Sequence, residues 1–357
     1  MKQKDIPTVS AEDFAGLFAK NPDLLHESPW VVSGYIQDWP GYRRWQDVDY
    51  LEQRLGHLSA FAKAPNFITN RNDGLVSVET DFARYLDYIR APDRAKELFE
   101  GRWLEGSYDE FVQRGLPLYC GTLRFVHTAT DPTFDEFRPL VPAPIETWNH
   151  ALPYYYSLFN HLWLLVSLPG SLTPLHVDNN GTIALIAQLQ GRKRATLYSP
   201  ADHRHVYNPV VGYMDPERPN REDFPTCDEA VAWTAELTEG QVLFVGTGWA
   251  HHVRTVERSI SVSFDFVDRS NIAAYARSPD WSSVLGARVK NRPDTFVEKL
   301  GGALTRGQVE TLSAVEIGRL TMTAILKASM ASSEGEEARI RRRYLEHLED
   351  DGLRGAA

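Results

Sequence analysis

Apolar residues recur along this chain at two different periods. Between about Tyr119 and Phe266, short apolar runs alternate with turns containing Gly or Pro, the pattern of half-buried strands. Leu162–Leu168 is one such run, with Trp163, Leu165 and Ser167 on a shared face. Pro169-Gly170-Ser171 turns it into Leu172–His176. Thr182–Leu189, Ala195–Tyr198 and Gln241–Val245 follow, and Ser259–Val267 alternates Ile260, Val262, Phe264 and Phe266 with smaller or polar neighbours. Many short strands punctuated this way predict a double-sheet barrel of jelly-roll type.

Helical spacing governs both ends. Ser10-Ala11-Glu12-Asp13 has the form of a helix N-cap, followed by Phe14, Leu17 and Phe18. Pro29–Gly34 reads as a buried strand ending in a turn, and Val48–Leu55 as a short helix. Trp39 and Trp45 are expected in packing roles. After about Asn291, Leu312, Val315, Leu320 and Ile325 suggest one amphipathic helix. Ile340, Tyr344, Leu345 and Leu348 suggest a second, joined to it through Ala331–Glu337. The expected organisation is an N-terminal α/β segment over 1–115, a β core over 116–290 with a loop insert at 201–237, and C-terminal helices over 291–357. The fold class is mainly β with flanking helices.

Composition narrows the function. At 357 residues, 43% hydrophobic and 24% charged, this is the make-up of a globular protein with a substantial core. The net charge of −10 repels nucleic acid and anionic membranes. Two cysteines provide neither a disulfide framework nor metal spacing. The N-terminus lacks the apolar run of a secretory signal, and no apolar stretch of about 18 residues predicts a membrane span. A cytoplasmic protein is expected.

The chemistry concentrates at His176-Val177-Asp178 and, far downstream, at His251-His252. Residues two apart on an extended segment project to the same side, so His176 and Asp178 can reach one ion. A third ligand must come from a distant strand, and Trp249-Ala250-His251-His252 follows the strand Gln241–Val245. Two imidazoles and a carboxylate on one face of a metal leave the opposite positions open, which suits non-haem Fe(II). Adjacent residues of an extended chain point opposite ways, so His251 and His252 are alternatives for this ligand. His203 and His205 read as loop residues without a carboxylate at metal distance, and His127, His150 and His161 as packing or hydrogen-bonding residues. No Gly-rich phosphate loop or nucleophile elbow is present.

Thr173–Pro200 together with Gly240–Phe266 resembles the JmjC and cupin-like Fe(II)/2-oxoglutarate oxygenases, most closely the branch containing the asparaginyl hydroxylase of hypoxia-inducible factor. Pro29–Leu51, with Gly34 and Asp38-Trp39-Pro40 before Trp45, resembles the N-terminal part of that family. Gly246 and Ala250 depart from it, standing where a proline and a second aromatic are common.

The resemblance implies a double-stranded β-helix, with His176, Asp178 and His251 as iron ligands. It also implies 2-oxoglutarate as co-substrate, anchored by Lys193 with Thr173 and Tyr119, and release of succinate and CO₂ after reaction with O₂. Arg258 is the alternative anchor, and the plain reading of Lys193 is a solvated turn with Arg192 and Arg194. Trp163 and Leu165 fit either pocket lining or core. The expected activity is hydroxylation of a small molecule, amino-acid derivative or peptide side chain. N-methyl-lysine demethylation and a non-catalytic binding role are the alternatives. The acidic segment Ala201–Leu237, with Tyr207, Tyr213 and Trp233, is expected over the pocket mouth, where it would favour a cationic or polar substrate. The C-terminal helices are a candidate homodimerisation element.

Overall fold

The computed structural model describes residues 2–64, 76–126, 132–138, 145, 162–178, 181–268, 270–271, 275, 279–300, 302–330 and isolated positions between 335 and 346. His127, His150 and His161, and Ile340, Tyr344 and Leu348 of the second expected C-terminal helix, lie outside them. In chain order the strands are β1 (Lys2–Asp5), β2 (Thr8–Ser10), β3 (Trp30–Ser33), β4 (Ser59–Ala64), β5 (Val76–Asp81), β6 (Trp103–Glu105), β7 (Cys120–Val126), β8 (Leu162–Ser167), β9 (Leu172–His176), β10 (Ile183–Gln190), β11 (Lys193–Tyr198), β12 (Tyr207–Asn208), β13 (Gly212–Tyr213), β14 (Val231–Leu237), β15 (Gln241–Val245), β16 (Ala250–Thr255) and β17 (Ser259–Phe266).

Two sheets form the barrel. The larger has seven strands in the order β2-β3-β15-β10-β17-β8-β7, and the smaller has five in the order β1-β14-β11-β16-β9. From β8 onward the chain crosses between them, β8, β10, β15 and β17 falling in the larger and β9, β11, β14 and β16 in the smaller. This is the expected double-stranded β-helix. The N-terminal segment contributes strands to both sheets: β1 runs parallel to β14, while β3 pairs with β15. A separate three-stranded sheet is ordered β4-β5-β6.

Strand parity sorts the larger sheet. Leu162, Leu164, Val166, Ile260, Val262 and Phe264 point away from the barrel interior into a core shared with the N-terminal helices. The helix Ala11–Lys20 is capped by the Ser10 hydroxyl, which accepts from the Asp13 amide at 3.0 Å. Phe14 and Phe18 are buried on that helix, whereas Leu17 is 37% exposed, so the buried face follows the i, i+4 pair alone. Phe14 stacks on Phe244 of β15 with ring centroids 5.3 Å apart. The Tyr85 hydroxyl donates to the Val166 carbonyl at 2.7 Å and accepts from the Cys120 amide at 3.0 Å, pinning the helix Phe82–Arg90 to β8 and β7. Trp39 and Trp45 are buried as expected, and Trp45 donates its indole N–H to Glu136 at 2.8 Å.

Two segments differ from expectation. The 201–237 insert ends in a true strand: β14 pairs with β11 from Leu237 to Trp233, so the irregular part stops near Ala230. Trp233 therefore sits on a sheet, edge-on to Trp249 at 5.5 Å and under the Lys4 ammonium at 3.7 Å. At the C-terminus, helix begins at Pro279–Asn291, and Leu312 lies in a break between the helices Arg306–Thr311 and Ala314–Met330. Ser313 caps the latter, accepting from the Glu316 amide at 3.3 Å. Its buried stripe is Ile317, Thr321, Met322 and Leu326, leaving Val315, Leu320 and Ile325 half-exposed. No helix among the described residues is long and apolar enough to cross a membrane.

Because Phe14 is fully buried against β15, Phe14→Ala should destabilise the whole barrel by roughly 3–5 kcal/mol. Urea unfolding should show a lower midpoint with an unchanged slope in a single transition.

Candidate metal centre

Register decides which side chains face the barrel interior from the smaller sheet. β11 pairs with β16 so that Lys193 lies opposite Thr255, Ala195 opposite Val253, and Leu197 opposite His251. β16 pairs in turn with β9, setting His251 opposite His176 and Val253 opposite Thr173, with a register shift between His251 and Val253. Lys193, Thr173, His176 and His251 thus belong to one face, and Asp178 follows two residues after His176.

At the centre of that face, one ring nitrogen each from His176 and His251 and an oxygen of Asp178 lie within 4.8 Å of one another. His176 Nε2 is 3.4 Å from Asp178 Oδ1, and His251 Nε2 is 3.8 Å from Oδ2. The two imidazoles sit 4.1 Å apart between centroids. Their tautomers follow from the neighbouring carbonyls, which only accept. His176 Nδ1 faces the Pro174 carbonyl at 2.8 Å and His251 Nδ1 faces the Trp249 carbonyl at 3.3 Å. Each Nδ1 therefore carries the proton and each Nε2 turns a lone pair toward Asp178.

Three acceptors pointing at one spot repel each other unless a cation lies between them, so the donor set fits a metal ion. Burial, reinforced by His176, pushes His251 down to about 4, keeping it neutral. Burial opposes ionisation of Asp178, yet His251 and His176 outweigh it and hold the carboxyl low. Burial also disfavours charge on His176, but Asp178 overcomes that and raises it. His251 is buried, while His176 and Asp178 are half-buried, which leaves the cluster approachable from one side.

Further along the same face is a buried cation. Lys193 is 1% exposed, and no carboxylate among the described residues pairs with it. Its ammonium lies 5.7 Å from the centroid of the Tyr119 ring, and the Tyr119 and Thr173 side chains are hydrogen-bonded. Gly121 makes room for that ring, since a β carbon there would meet Tyr119 Cε1 at 2.9 Å. The flanking Arg192 and Arg194 point outward to Glu236, so the basic turn is split by parity. Arg258 is exposed on the turn before β17.

The structure thus brings together all six residues singled out from sequence: His176, Asp178 and His251, and Lys193, Thr173 and Tyr119. His252 faces the other way, opposite Thr196. His205 is buried in the helix His203–Val206, with Nδ1 2.8 Å from the Thr226 hydroxyl. Trp163 and Leu165 are half-buried and pair with Ser263 and Ser261 on the interior side.

Sequence reasoning missed the polar lining contributed by β17. Gln188 donates to Ser259 at 2.7 Å and accepts from Ser261 at 2.8 Å, and Ser167 and Thr255 share a hydrogen bond of 2.9 Å. Asp265 continues the Ser259, Ser261, Ser263 face toward the triad. Burial, then the charge of Asp178, pushes its carboxyl well above the usual range. The alternation with Phe264 and Phe266 was the signal that could have found it.

Among models of known families, the one described as a cupin-like domain matches residues 23–271. The chain belongs to the cupin-like domain family. It is 34% identical over 249 residues to lysine-specific demethylase 8 of Xenopus tropicalis, covering 68% of this chain and 48% of that protein. It is 26% identical over 282 residues to arginine-specific demethylase JMJ22 of Arabidopsis thaliana, covering 74% and 46%. To the 2-oxoglutarate and iron-dependent oxygenase JMJD4 of Gallus gallus it is 22% identical over 265 residues, covering 70% and 57%. The chain spans about half the length of these relatives. The departure at Gly246 within this cupin-like protein has a steric reason: a β carbon there would lie 2.2 Å from the Leu25 carbonyl oxygen.

Burial pushes the Lys193 ammonium down to about 7 from 10.5, so between those values the unfolded chain binds a proton that the folded chain does not. Stability of the ligand-free protein should therefore rise with pH across about 7 to 10.5. Lys193→Met should abolish that part of the slope in urea titrations and be more stable than wild type at pH 6.

Proposed function

We propose that this chain is an Fe(II)- and 2-oxoglutarate-dependent dioxygenase that hydroxylates a substrate C–H bond and releases succinate and CO₂. The observation carrying the reading is the convergence of His176 Nε2, Asp178 and His251 Nε2 on one point with a side left open. A structural metal is normally enclosed by four protein ligands, whereas an open facial triad suits Fe(II) that must take further ligands. Bound there, iron with 2-oxoglutarate would supply the oxidising power to activate O₂ and insert one oxygen atom into the substrate.

The remaining residues bind, orient and exclude. Lys193, a buried ammonium with no carboxylate partner among the described residues, would take the distal carboxylate of the keto acid, with the Thr173 and Tyr119 hydroxyls as hydrogen-bond partners. Anion binding would reverse the desolvation that makes Lys193 give up its proton. The relative named as a 2-oxoglutarate and iron-dependent oxygenase supports the same chemistry. Catalysis then depends on holding one C–H bond of the substrate near the metal and keeping others away.

Demethylation is a second reading, favoured by two relatives named as lysine- and arginine-specific demethylases. Asp265 bears on it as a carboxyl group on the β17 face turned toward the triad, kept toward its neutral form by burial and by Asp178, and able to hydrogen-bond a methylated amine or guanidinium. Hydroxylation of an N-methyl carbon ends in loss of formaldehyde, whereas other C–H bonds keep the new hydroxyl. The homodimer belongs to the same proposal, formed through the C-terminal helices Pro279–Asn291 to Ala314–Met330.

Succinate formation from 2-oxoglutarate under Fe(II) and O₂ should fall by at least roughly 10- to 100-fold in His176→Ala, since losing a ligand costs no less than losing an outer-shell partner. Equal turnover in both proteins would reject the assignment. Sedimentation of the wild-type chain should give a dimer; a monomer would rule out association through the C-terminal helices.

A further inference from the structure

β16 carries two adjacent histidines, and the one that faces away from the triad has a surrounding of its own. His252 is 2% exposed, yet its Nε2 has no hydrogen-bond partner among the described residues. A buried polar atom left without a partner is uncommon and costly, and a bound ion is one of the ordinary explanations. Opposite the ring, the segment 200–230 lays two carboxylates. One ring nitrogen of His252 and one oxygen each of Asp215 and Glu217 lie within 4.8 Å of one another.

Their positions are held from both sides. Arg254, on the same outward face of β16 as His252, donates Nε–H to Glu217 Oε1 at 2.6 Å and pairs through its other nitrogen with Oε2. Each carboxylate oxygen keeps a second lone pair after accepting from the guanidinium. Asp215 Oδ1 accepts from the Glu217 amide at 2.9 Å, leaving Oδ2 free of that turn. Asp215, Glu217 and Arg254 also border a solvent-connected cavity of about 980 Å³, which provides an entry path.

We propose that Asp215, Glu217 and His252 form a second divalent-cation site, separate from the triad and on the opposite face of the same strand. One imidazole nitrogen with two carboxylate oxygens is a ligand set that zinc accepts, the fourth position being open to water. A cation there fastens the 200–230 segment to the barrel wall directly behind His251. The proposal stands whether or not the triad binds iron.

The test is equilibrium dialysis of the full chain against zinc, followed by metal analysis. Asp215→Asn and His252→Ala should each lose one bound equivalent relative to wild type, with unchanged circular dichroism. The equivalent lost in His176→Ala should be a different one, so that His176→Ala combined with Asp215→Asn loses both. Wild-type stoichiometry in Asp215→Asn overturns the proposal, because the Arg254–Glu217 ion pair would then be excluding cations. Loss in His252→Ala alone also overturns it, since that result reports damage to the neighbouring His251.

Discussion

The antiparallel pairing of β16 with β9 is the constraint on which the candidate site depends. It sets His251 opposite His176, two residues that lie far apart in sequence, and brings Asp178 to the same point. A register slip of one residue would exchange His251 for His252 and turn the imidazole out of the barrel. On the outer face, Thr196 and Arg194 of β11 pair with His252 and Arg254. Inward and outward functions on β16 are thus separated by one peptide unit.

The barrel interior is polar where a simple apolar core would be cheaper. Gln188, Ser259 and Ser261 satisfy one another, and Ser167 bonds to Thr255, so these groups cost little to bury. Lys193 and the triad are different, because their charges and lone pairs find no complement among the described residues. Stability is supplied by an apolar cluster between the two sheets, including Ile186, Leu197, Leu243 and Val253, and by the opposite face of the larger sheet, where aromatic and aliphatic side chains pack against the N-terminal helices. That division explains how the protein can hold an ammonium and three metal-binding atoms in place before any ligand arrives.

Much of this was legible from period-two alternation. It marked the barrel strands and put His176 and Asp178 on one side; Lys193 stood apart from its arginine neighbours only through the family resemblance. What escaped had identifiable causes. Asp265 was passed over because its strand was judged by its apolar partners, although the same parity turns it toward the triad. Val231–Leu237 reads as loop in the sequence because its partners, β11 and the N-terminal β1, are remote along the chain and its face is only half-buried. The helical stripe through Leu312 failed because Ser313 caps a new helix there, which rotates the buried face onto Ile317 and Met322. Membership of the cupin-like family came through the motifs; the finer likeness to the asparaginyl hydroxylase branch rests on those motifs alone.

The central claim is that His176, Asp178 and His251 grip a single iron ion and leave part of its surroundings open. Anomalous diffraction at the iron edge, from crystals grown with Fe(II) under anaerobic conditions, addresses it directly. The account predicts one peak about 2.0–2.2 Å from both Nε2 atoms and an Asp178 oxygen, the spacing of metal–imidazole and metal–carboxylate bonds, with no fourth protein ligand. A peak elsewhere, or an ion enclosed on all sides by protein atoms, would contradict it.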